Sequence, residues 1–159
     1  MNYAAIKNCD IANGPGVRVS LFVSGCTHRC PGCFNEVAWD FNYGEPFTQN
    51  TIDTILSMLA PNHVKGLTLL GGEPFEPENQ PAILELLRQV KAKYPEKTIW
   101  AFSGYLFDRD ILAGKLGPWV LALLFHFCKA FFGPYFAGFN VINRAYDAFH
   151  VGNLTDILK

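Results

Sequence analysis

The alternation of strand-like and helix-like segments is the feature that most limits how this chain can fold. Three short runs, residues 17–23, 66–70 and 98–102, have the length and apolar pattern of β-strands. Two segments between them, residues 52–59 and 81–90, repeat apolar residues at the spacing of one helix face. Strands separated by helices of this length predict βαβ units and a parallel sheet.

The length of the chain sets the size of this α/β fold. At about 30 residues per βα unit, the 159 residues hold about five units in a single domain, residues 1–159. A complete eight-stranded barrel needs a longer chain. We therefore expect an open partial (β/α) barrel with a parallel sheet.

Each group of unusual residues follows a predicted strand. The groups are residues 26–33, which contain three cysteines, a Gly-Gly-Glu-Pro run at 71–74, and Ser-Gly-Tyr at 103–105. The carboxyl ends of parallel strands open on one side of a sheet, and ligands bind there. We therefore expect these three segments to converge on one site.

Composition and charge exclude several classes of protein. Thirteen Lys and Arg residues against fourteen Asp and Glu residues give a net charge of -1, so bulk charge does not favour binding to nucleic acid. Half of the residues are hydrophobic and 17% are charged, which excludes an intrinsically disordered chain. The first ten residues contain no apolar stretch of signal-peptide length, so we expect a cytoplasmic protein.

Cysteine is concentrated in one segment. Of the five cysteines, Cys26, Cys30 and Cys33 fall within eight residues. Three thiolates at this spacing hold three corners of a cubane iron–sulfur cluster, whereas a cluster ligated entirely by protein takes four. The remaining iron is then open to a substrate. The alternatives are zinc, with Cys9 or His28 as the fourth ligand, and unrelated buried cysteines, but the chain has no second Cys-x2-Cys pair.

Several motifs resemble one enzyme superfamily. The spacing Cys26-x3-Cys30-x2-Cys33 resembles the cluster motif of the radical S-adenosylmethionine superfamily, and residues 13–18 and 22–26 are similar to its glycyl-radical-enzyme activases. A closer resemblance, over residues 1 to about 112, is to the anaerobic ribonucleoside-triphosphate reductase activating proteins. It rests on Cys30-Pro31-Gly32-Cys33-Phe34-Asn35, Trp39, Gly71-Gly72-Glu73-Pro74 and Ser103-Gly104-Tyr105.

The resemblance implies a fold of radical S-adenosylmethionine type and a set of site residues. It implies a 4Fe-4S cluster on Cys26, Cys30 and Cys33, whose fourth iron chelates the amino and carboxylate groups of S-adenosylmethionine. The residues that it implies as cofactor contacts are Gly32, Cys33, Phe34, Gly71, Gly72, Glu73 and Ser103. Glu73 would accept a charge-assisted hydrogen bond from the methionine amino group.

The resemblance also implies the reaction. One electron entering the cluster reduces S-adenosylmethionine, which cleaves to methionine and a 5′-deoxyadenosyl radical. That radical abstracts hydrogen from a glycine of a partner reductase and leaves a glycyl radical there. The cofactors carry the chemistry, and the protein positions them and excludes competing reactions.

The implied partner is the large subunit of anaerobic ribonucleoside-triphosphate reductase. An external low-potential electron donor of flavodoxin type is also implied, and neither nucleic acid nor a membrane is expected. A pyruvate formate-lyase activase and a 7-carboxy-7-deazaguanine synthase are alternatives within the superfamily. A non-catalytic zinc-binding module is the alternative from another class. The short chain and the run at residues 30–35 favour the reductase activator.

Two residues near the motifs have open interpretations. Arg18 lies within a predicted strand, where an inward-facing cation is costly unless it is paired. It has either a role near the cluster or an outward, solvated position. His28 lies between two of the cluster cysteines, and we interpret it as a loop residue rather than a ligand.

The chain departs from the resembling family after Gly117. A strand with a Val-Asp-Gly-x-Phe-like motif is expected there, but residues 119–128 are almost entirely apolar, and seven of the fourteen phenylalanines lie beyond Gly117. A membrane span needs about 20 apolar residues, and Lys129 and Pro134 interrupt this run. The alternatives are a core helix, a surface over residues 119–139 for partner docking or self-association, and an altered C-terminus such as a frameshift produces.

Overall fold

The computed structural model describes residues 1–111, 113, 115–124 and 129–132. Within these residues, six strands form one mixed sheet, which three helices accompany. The strands are β1 (Asn2–Asp10), β2 (Val17–Val23), β3 (Glu45–Pro46), β4 (Val64–Gly71), β5 (Thr98–Ser103) and β6 (Lys129–Phe132). The helices are α1 (Gln49–Leu59), α2 (Gln80–Lys93) and α3 (Val120–Leu124), with short helical turns at Glu36–Trp39 and Phe107–Ile111.

The sheet has the order β3-β1-β2-β4-β5-β6. β2, β4, β5 and β6 are parallel, so the three predicted strands and the two predicted helices between them are confirmed. β1 instead pairs antiparallel with both β2 and β3. The expectation of a parallel sheet is therefore wrong for β1 and β3. β1 is half-exposed, and its sequence lacks the alternation of apolar residues that marks a buried strand.

One apolar core packs against the parallel strands. Alternate residues of β2, Val19, Leu21 and Val23, are fully buried, and they join the buried residues of α1 and α2 in one cluster. Each large apolar side chain buried in this way stabilises the folded state by about 1.5–3 kcal/mol. α1 contacts both β2 and β4, so the helix holds these two strands together.

The opposite face of the parallel strands is polar and also buried. Arg18, Ser20 and Thr68 are inaccessible to solvent. The Arg18 guanidinium donates to Thr68 Oγ1 at 2.6 Å and to the Leu67 carbonyl at 2.7 Å, and it lies over the Trp100 ring. Both interpretations of Arg18 are therefore wrong. It is buried among these acceptors, at the end of β2 that is farther from the cysteines.

The first part of the atypical C-terminal segment belongs to the core. Val120 and Leu123 of α3 are buried, and α3 packs against α2. β6 then extends the sheet beside β5. These contacts agree with the core alternative for the described part of the segment.

The remainder of that segment, residues 125–128 and 133–159, lies outside the described residues. About half of the predicted docking surface over residues 119–139 falls on it, as does Cys128. Within the described part of the chain, no helix has the length and apolar character needed to cross a membrane.

Candidate functional site

Three loops meet at the carboxyl end of the parallel strands, as the motif positions predict. They are the cysteine loop after β2, the Gly-Gly-Glu-Pro turn at the end of β4 and the loop after β5. Gly72 N donates to the Val23 carbonyl at 2.7 Å, and Glu73 N donates to the Gly25 carbonyl at 2.9 Å. These two bonds continue the β2–β4 pairing beyond the strands, so the turn is tied to the start of the cysteine loop. We call this meeting point the loop junction.

The two glycines of the turn have no room for a side chain. A Cβ at Gly72 would lie 2.6 Å from the Gly25 carbonyl oxygen and 3.0 Å from the Ala38 carbonyl oxygen. A Cβ at Gly71, where φ is +108°, would lie 2.7 Å from the Val23 carbonyl oxygen. Contact with the protein's own backbone therefore requires both glycines. Their predicted contact with a cofactor is a separate proposal.

Glu73 lies at the centre of the loop junction, with 1% of its surface exposed. Its Oε1 accepts a hydrogen bond from Phe75 N at 2.8 Å, and its Oε2 accepts one from Gly104 N at 2.7 Å. His28 Nε2 lies 3.3 Å from Oε2, and the His28 ring packs edge-on against Tyr105. One carboxylate therefore connects all three loops.

Two buried polar residues that the sequence analysis did not single out support the same junction. Glu76 Oε1 accepts from the N and Oγ1 atoms of Thr27 at 2.7 and 2.6 Å. Asn79 Nδ2 donates to the carbonyls of Ser24 and Glu73, both at 3.0 Å. Thr27 is 49 residues from Glu76, and Ser24 is 55 residues from Asn79, so no local motif signals these contacts.

The cysteine loop contains three thiols without disulfide partners. Cys26 and Cys33 are half-buried, and Cys30 is exposed. Cys33 N donates to the Cys30 carbonyl at 3.1 Å across Gly32, where φ is +74°. Among the described residues, no three His, Cys, Asp or Glu side chains already converge as a metal-binding group. The loop thus supplies three accessible thiols on one segment, a donor set whose chemistry fits an iron–sulfur cluster.

Cys9 lies at the far end of the sheet from this loop. Its neighbour Asp10 pairs with Arg18, near the start of β2, whereas Cys26 follows the end of that strand. β2 has seven residues and therefore spans about 20 Å. This separation is evidence against a zinc site with Cys9 as the fourth ligand, because zinc–ligand bonds are only about 2 Å long.

Two further predicted site residues lie on or beside the loops of the junction. Phe34, directly after Cys33, is 95% exposed. Ser103 Oγ, at the end of β5, accepts a hydrogen bond from Tyr105 N at 3.1 Å. A cavity of about 720 Å³ is lined by Cys26 and Trp39, among other residues. The sequence patterns did not predict this cavity.

Comparison with known proteins decides the family. A protein-family model described as a 4Fe-4S single cluster domain matches residues 12–116. The anaerobic ribonucleoside-triphosphate reductase-activating protein of Enterobacteria phage T4 is 48% identical over 108 residues, which cover 68% of this chain and 69% of that protein. The chain belongs to this family of activating proteins.

Two bacterial relatives support the same family. The activating protein of Escherichia coli strain K12 is 46% identical over 110 residues, covering 68% of this chain and 71% of that protein. The activating protein of Vibrio cholerae is 44% identical over 127 residues, covering 78% of this chain and 82% of that protein. The family resemblance seen in the cysteine and Gly-Gly-Glu-Pro motifs is thus confirmed.

Burial and carboxylate charges at the loop junction shift the pKa values of three groups in this activating-protein chain. Burial raises the pKa of the Cys26 thiol, and the carboxylates of Glu73 and Glu76 act in the same direction. The Glu73 carboxylate raises the pKa of His28, and burial raises the pKa of Tyr105 to about 12. A thiol with a raised pKa binds a metal less readily at a given pH, because the thiolate is the form that acts as a ligand.

Substitution of Gly72 tests the close backbone contact at the junction. We expect Gly72→Ala to lower the free energy of unfolding by about 1–3 kcal/mol, because the new methyl group must displace the Gly25 carbonyl. Gly72→Val should lower the free energy of unfolding further, because its side chain is larger. Urea unfolding of the iron-free chain measures both, with Glu78→Ala, at an exposed position in the same connection, as the control. A Gly72→Ala variant as stable as the parent would show that the backbone is not held at this distance.

The raised pKa of His28 predicts a pH dependence. The pair of protonated His28 and ionised Glu73 stabilises the folded chain fully below pH 6.5, the ordinary histidine value, and this contribution is lost as the pH rises through the higher folded pKa. NMR titration of the iron-free chain should place the pKa of His28 above 6.5, and Glu73→Gln should lower it. His63→Gln, at an exposed histidine, serves to assign the signals. An unchanged pKa of His28 in Glu73→Gln would show that the Glu73 carboxylate does not cause the shift.

Proposed function

We propose that this chain activates an anaerobic ribonucleoside-triphosphate reductase by generating a glycyl radical on the large subunit of that enzyme. The observation that carries the proposal is the 46–48% identity to activating proteins over about two-thirds of the chain. The match to a 4Fe-4S domain over residues 12–116 supports it, because this reaction needs a low-potential electron. A cytoplasmic location and a flavodoxin-like electron donor remain predictions.

Cys26, Cys30 and Cys33 are the ligands that we assign to the 4Fe-4S cluster. When bound, the cluster supplies an electron at low potential and S-adenosylmethionine supplies the 5′-deoxyadenosyl group. The chain's own contribution is to position these groups: Gly32 permits the turn between the second and third cysteines. The Cys26 end of the loop is fixed separately, since Cys26 N donates to the Trp39 carbonyl at 3.3 Å.

We assign the S-adenosylmethionine contacts to the loops at the carboxyl end of the sheet. Their residues are Gly32, Cys33, Phe34, Gly71, Gly72, Glu73 and Ser103. The meeting of the three loops at one junction supports this assignment, since ligands of parallel α/β proteins bind at that edge. Two backbone N–H groups hold the Glu73 carboxylate, so its orientation is set before any cofactor arrives.

We also propose that the sheet is an open partial barrel of radical S-adenosylmethionine type. The buried polar face with Arg18, Ser20 and Thr68 would be its inner wall, and the apolar face that packs with the helices would be its outer wall. An open barrel leaves a flank through which a loop of the partner reductase reaches the site. This access is what hydrogen abstraction from a protein glycine requires.

The alternatives predict different metal contents and different partners. A zinc-binding module would contain one zinc per chain without iron or sulfide. Another radical S-adenosylmethionine enzyme would contain the same cluster but act on a pyruvate formate-lyase or on a small molecule. The identity to reductase-activating proteins favours the reductase as the partner.

Cysteine substitutions test the ligand assignment. We expect the anaerobically purified chain to be brown, and alanine at Cys26, Cys30 or Cys33 to abolish the colour and most of the bound iron, because each change removes one thiolate ligand. Cys9→Ala should retain both, since Cys9 lies at the other end of β2. Iron and sulfide analysis provides the measurement. Loss of the cluster in Cys9→Ala would show that the ligand set is wrong.

Electron paramagnetic resonance tests the proposed activity. With a reductant and S-adenosylmethionine, the chain should produce a glycyl radical doublet and 5′-deoxyadenosine when the large reductase subunit is present. Cys30→Ala should give neither product. A doublet on a pyruvate formate-lyase partner, with none on the reductase, would replace the proposed partner and leave the chemistry in place.

A further inference from the structure

Glu76 makes a two-bond contact with the cysteine loop that the motifs do not explain. Its side chain is only 3% exposed, although it is a carboxylate. Oε1 accepts from both the backbone N and the hydroxyl of Thr27, at 2.7 and 2.6 Å. Thr27 directly follows Cys26, so the contact acts on the residue next to the first thiol.

The backbone of Glu76 is fixed to the start of α2. Its carbonyl accepts from Asn79 N at 2.8 Å and from Gln80 N at 3.1 Å, and its N donates to the Glu73 carbonyl at 3.2 Å. α2 is anchored in turn by its buried apolar residues in the core. The carboxylate therefore connects the cysteine loop to a rigid element of the fold.

The position of Cys26 is fixed by two sets of hydrogen bonds. Cys26 N itself donates to the Trp39 carbonyl at 3.3 Å. The next residue, Thr27, donates from both its backbone N and its hydroxyl to Glu76. Bonds to a charged acceptor are stronger than neutral ones, and a buried carboxylate without donors is costly, so the contact strongly favours one position of this part of the loop.

We propose that Glu76 is a positioning residue for the iron–sulfur cluster, holding the Cys26 end of the loop in place through Thr27. This inference rests on the proposed function, in which Cys26 is a cluster ligand. Glu76 does not contact the cluster in this role. It limits the movement of one ligand, and so it slows the release of iron once the cluster is bound.

The test compares iron release from the reconstituted chain and its variants. A chelator is added anaerobically, and the loss of cluster absorbance is followed. We expect Glu76→Leu to release iron about tenfold faster or more, since it removes both hydrogen bonds to a charged acceptor. Glu76→Gln, which retains an acceptor oxygen, should release iron at a rate close to that of the parent chain. The rate of iron release from Thr27→Val should lie between the rates of the two Glu76 variants, and the rate from Thr27→Ser should equal that of the parent. These two variants keep the test valid if Glu76→Leu does not fold.

Two controls separate positioning from general stability. Leu59→Ala removes a buried side chain of α1 that belongs to the same apolar core, so it lowers the free energy of unfolding without altering α2 or the contact with Thr27. Glu78→Leu changes an exposed carboxylate close by. Neither should accelerate iron release. The electron paramagnetic resonance spectrum of the reduced cluster should change in Glu76→Leu and not in Leu59→Ala.

The possible outcomes separate a failure of the role of Glu76 from a failure of the proposed function. Normal cluster loading by the parent, with unchanged iron release in Glu76→Leu and Thr27→Val, would overturn this inference alone. An equal increase in the rate of iron release in Glu76→Leu and Leu59→Ala would also overturn it. A parent chain that takes up no iron and sulfide would overturn the proposed function, and this inference with it.

Discussion

The arrangement of the site depends on the continuation of β2–β4 pairing past the ends of both strands. The bonds from Gly72 N to Val23 and from Glu73 N to Gly25 carry the ladder into two loops, where the chain has no regular secondary structure. These bonds form only because residue 72 has no side chain to separate the two backbones. The cysteine loop therefore begins from a fixed point, although most of it lies outside the sheet.

Two buried carboxylates then connect the loops, and each one is satisfied by donors from loops rather than from the sheet. Glu73 binds the N–H groups of Phe75 and Gly104, and Glu76 binds the two donors of Thr27. A buried charge is tolerated only with such partners, so the carboxylates and the loop conformations depend on one another. The same charges, added to burial, disfavour the Cys26 thiolate. If Cys26 is a cluster ligand, as proposed above, binding of a positively charged metal centre relieves that penalty and so couples cluster binding to the folded arrangement.

The parts of the fold and site that local patterns specify were predictable from the sequence. The apolar runs predicted β2, β4 and β5, and the convergence of the motifs followed from the rule that parallel strands open on one side. β1 was not predicted, because a half-exposed strand has no strong apolar alternation.

The roles of Glu76 and Asn79 could not be predicted from the sequence for a related reason. The partners of Glu76 and Asn79 are loop groups about 50 residues away, and only the three-dimensional fold brings them together. Arg18 was misjudged because its acceptors include a main-chain carbonyl and a threonine hydroxyl on the neighbouring strand, which leave no charge pattern in the sequence.

The order of the site residues along the chain has a consequence for synthesis. All three loop cysteines lie before residue 34, whereas Glu73, Glu76 and Gly104 follow much later. A ribosome adds about 5–20 residues per second, so the thiols emerge on the order of ten seconds before Gly104. During that interval the cysteine loop lacks its contacts with the Gly-Gly-Glu-Pro turn and with the loop after β5. Under the ligand assignment proposed above, the thiols reach their final arrangement only after β5 and the loop that follows it have left the ribosome.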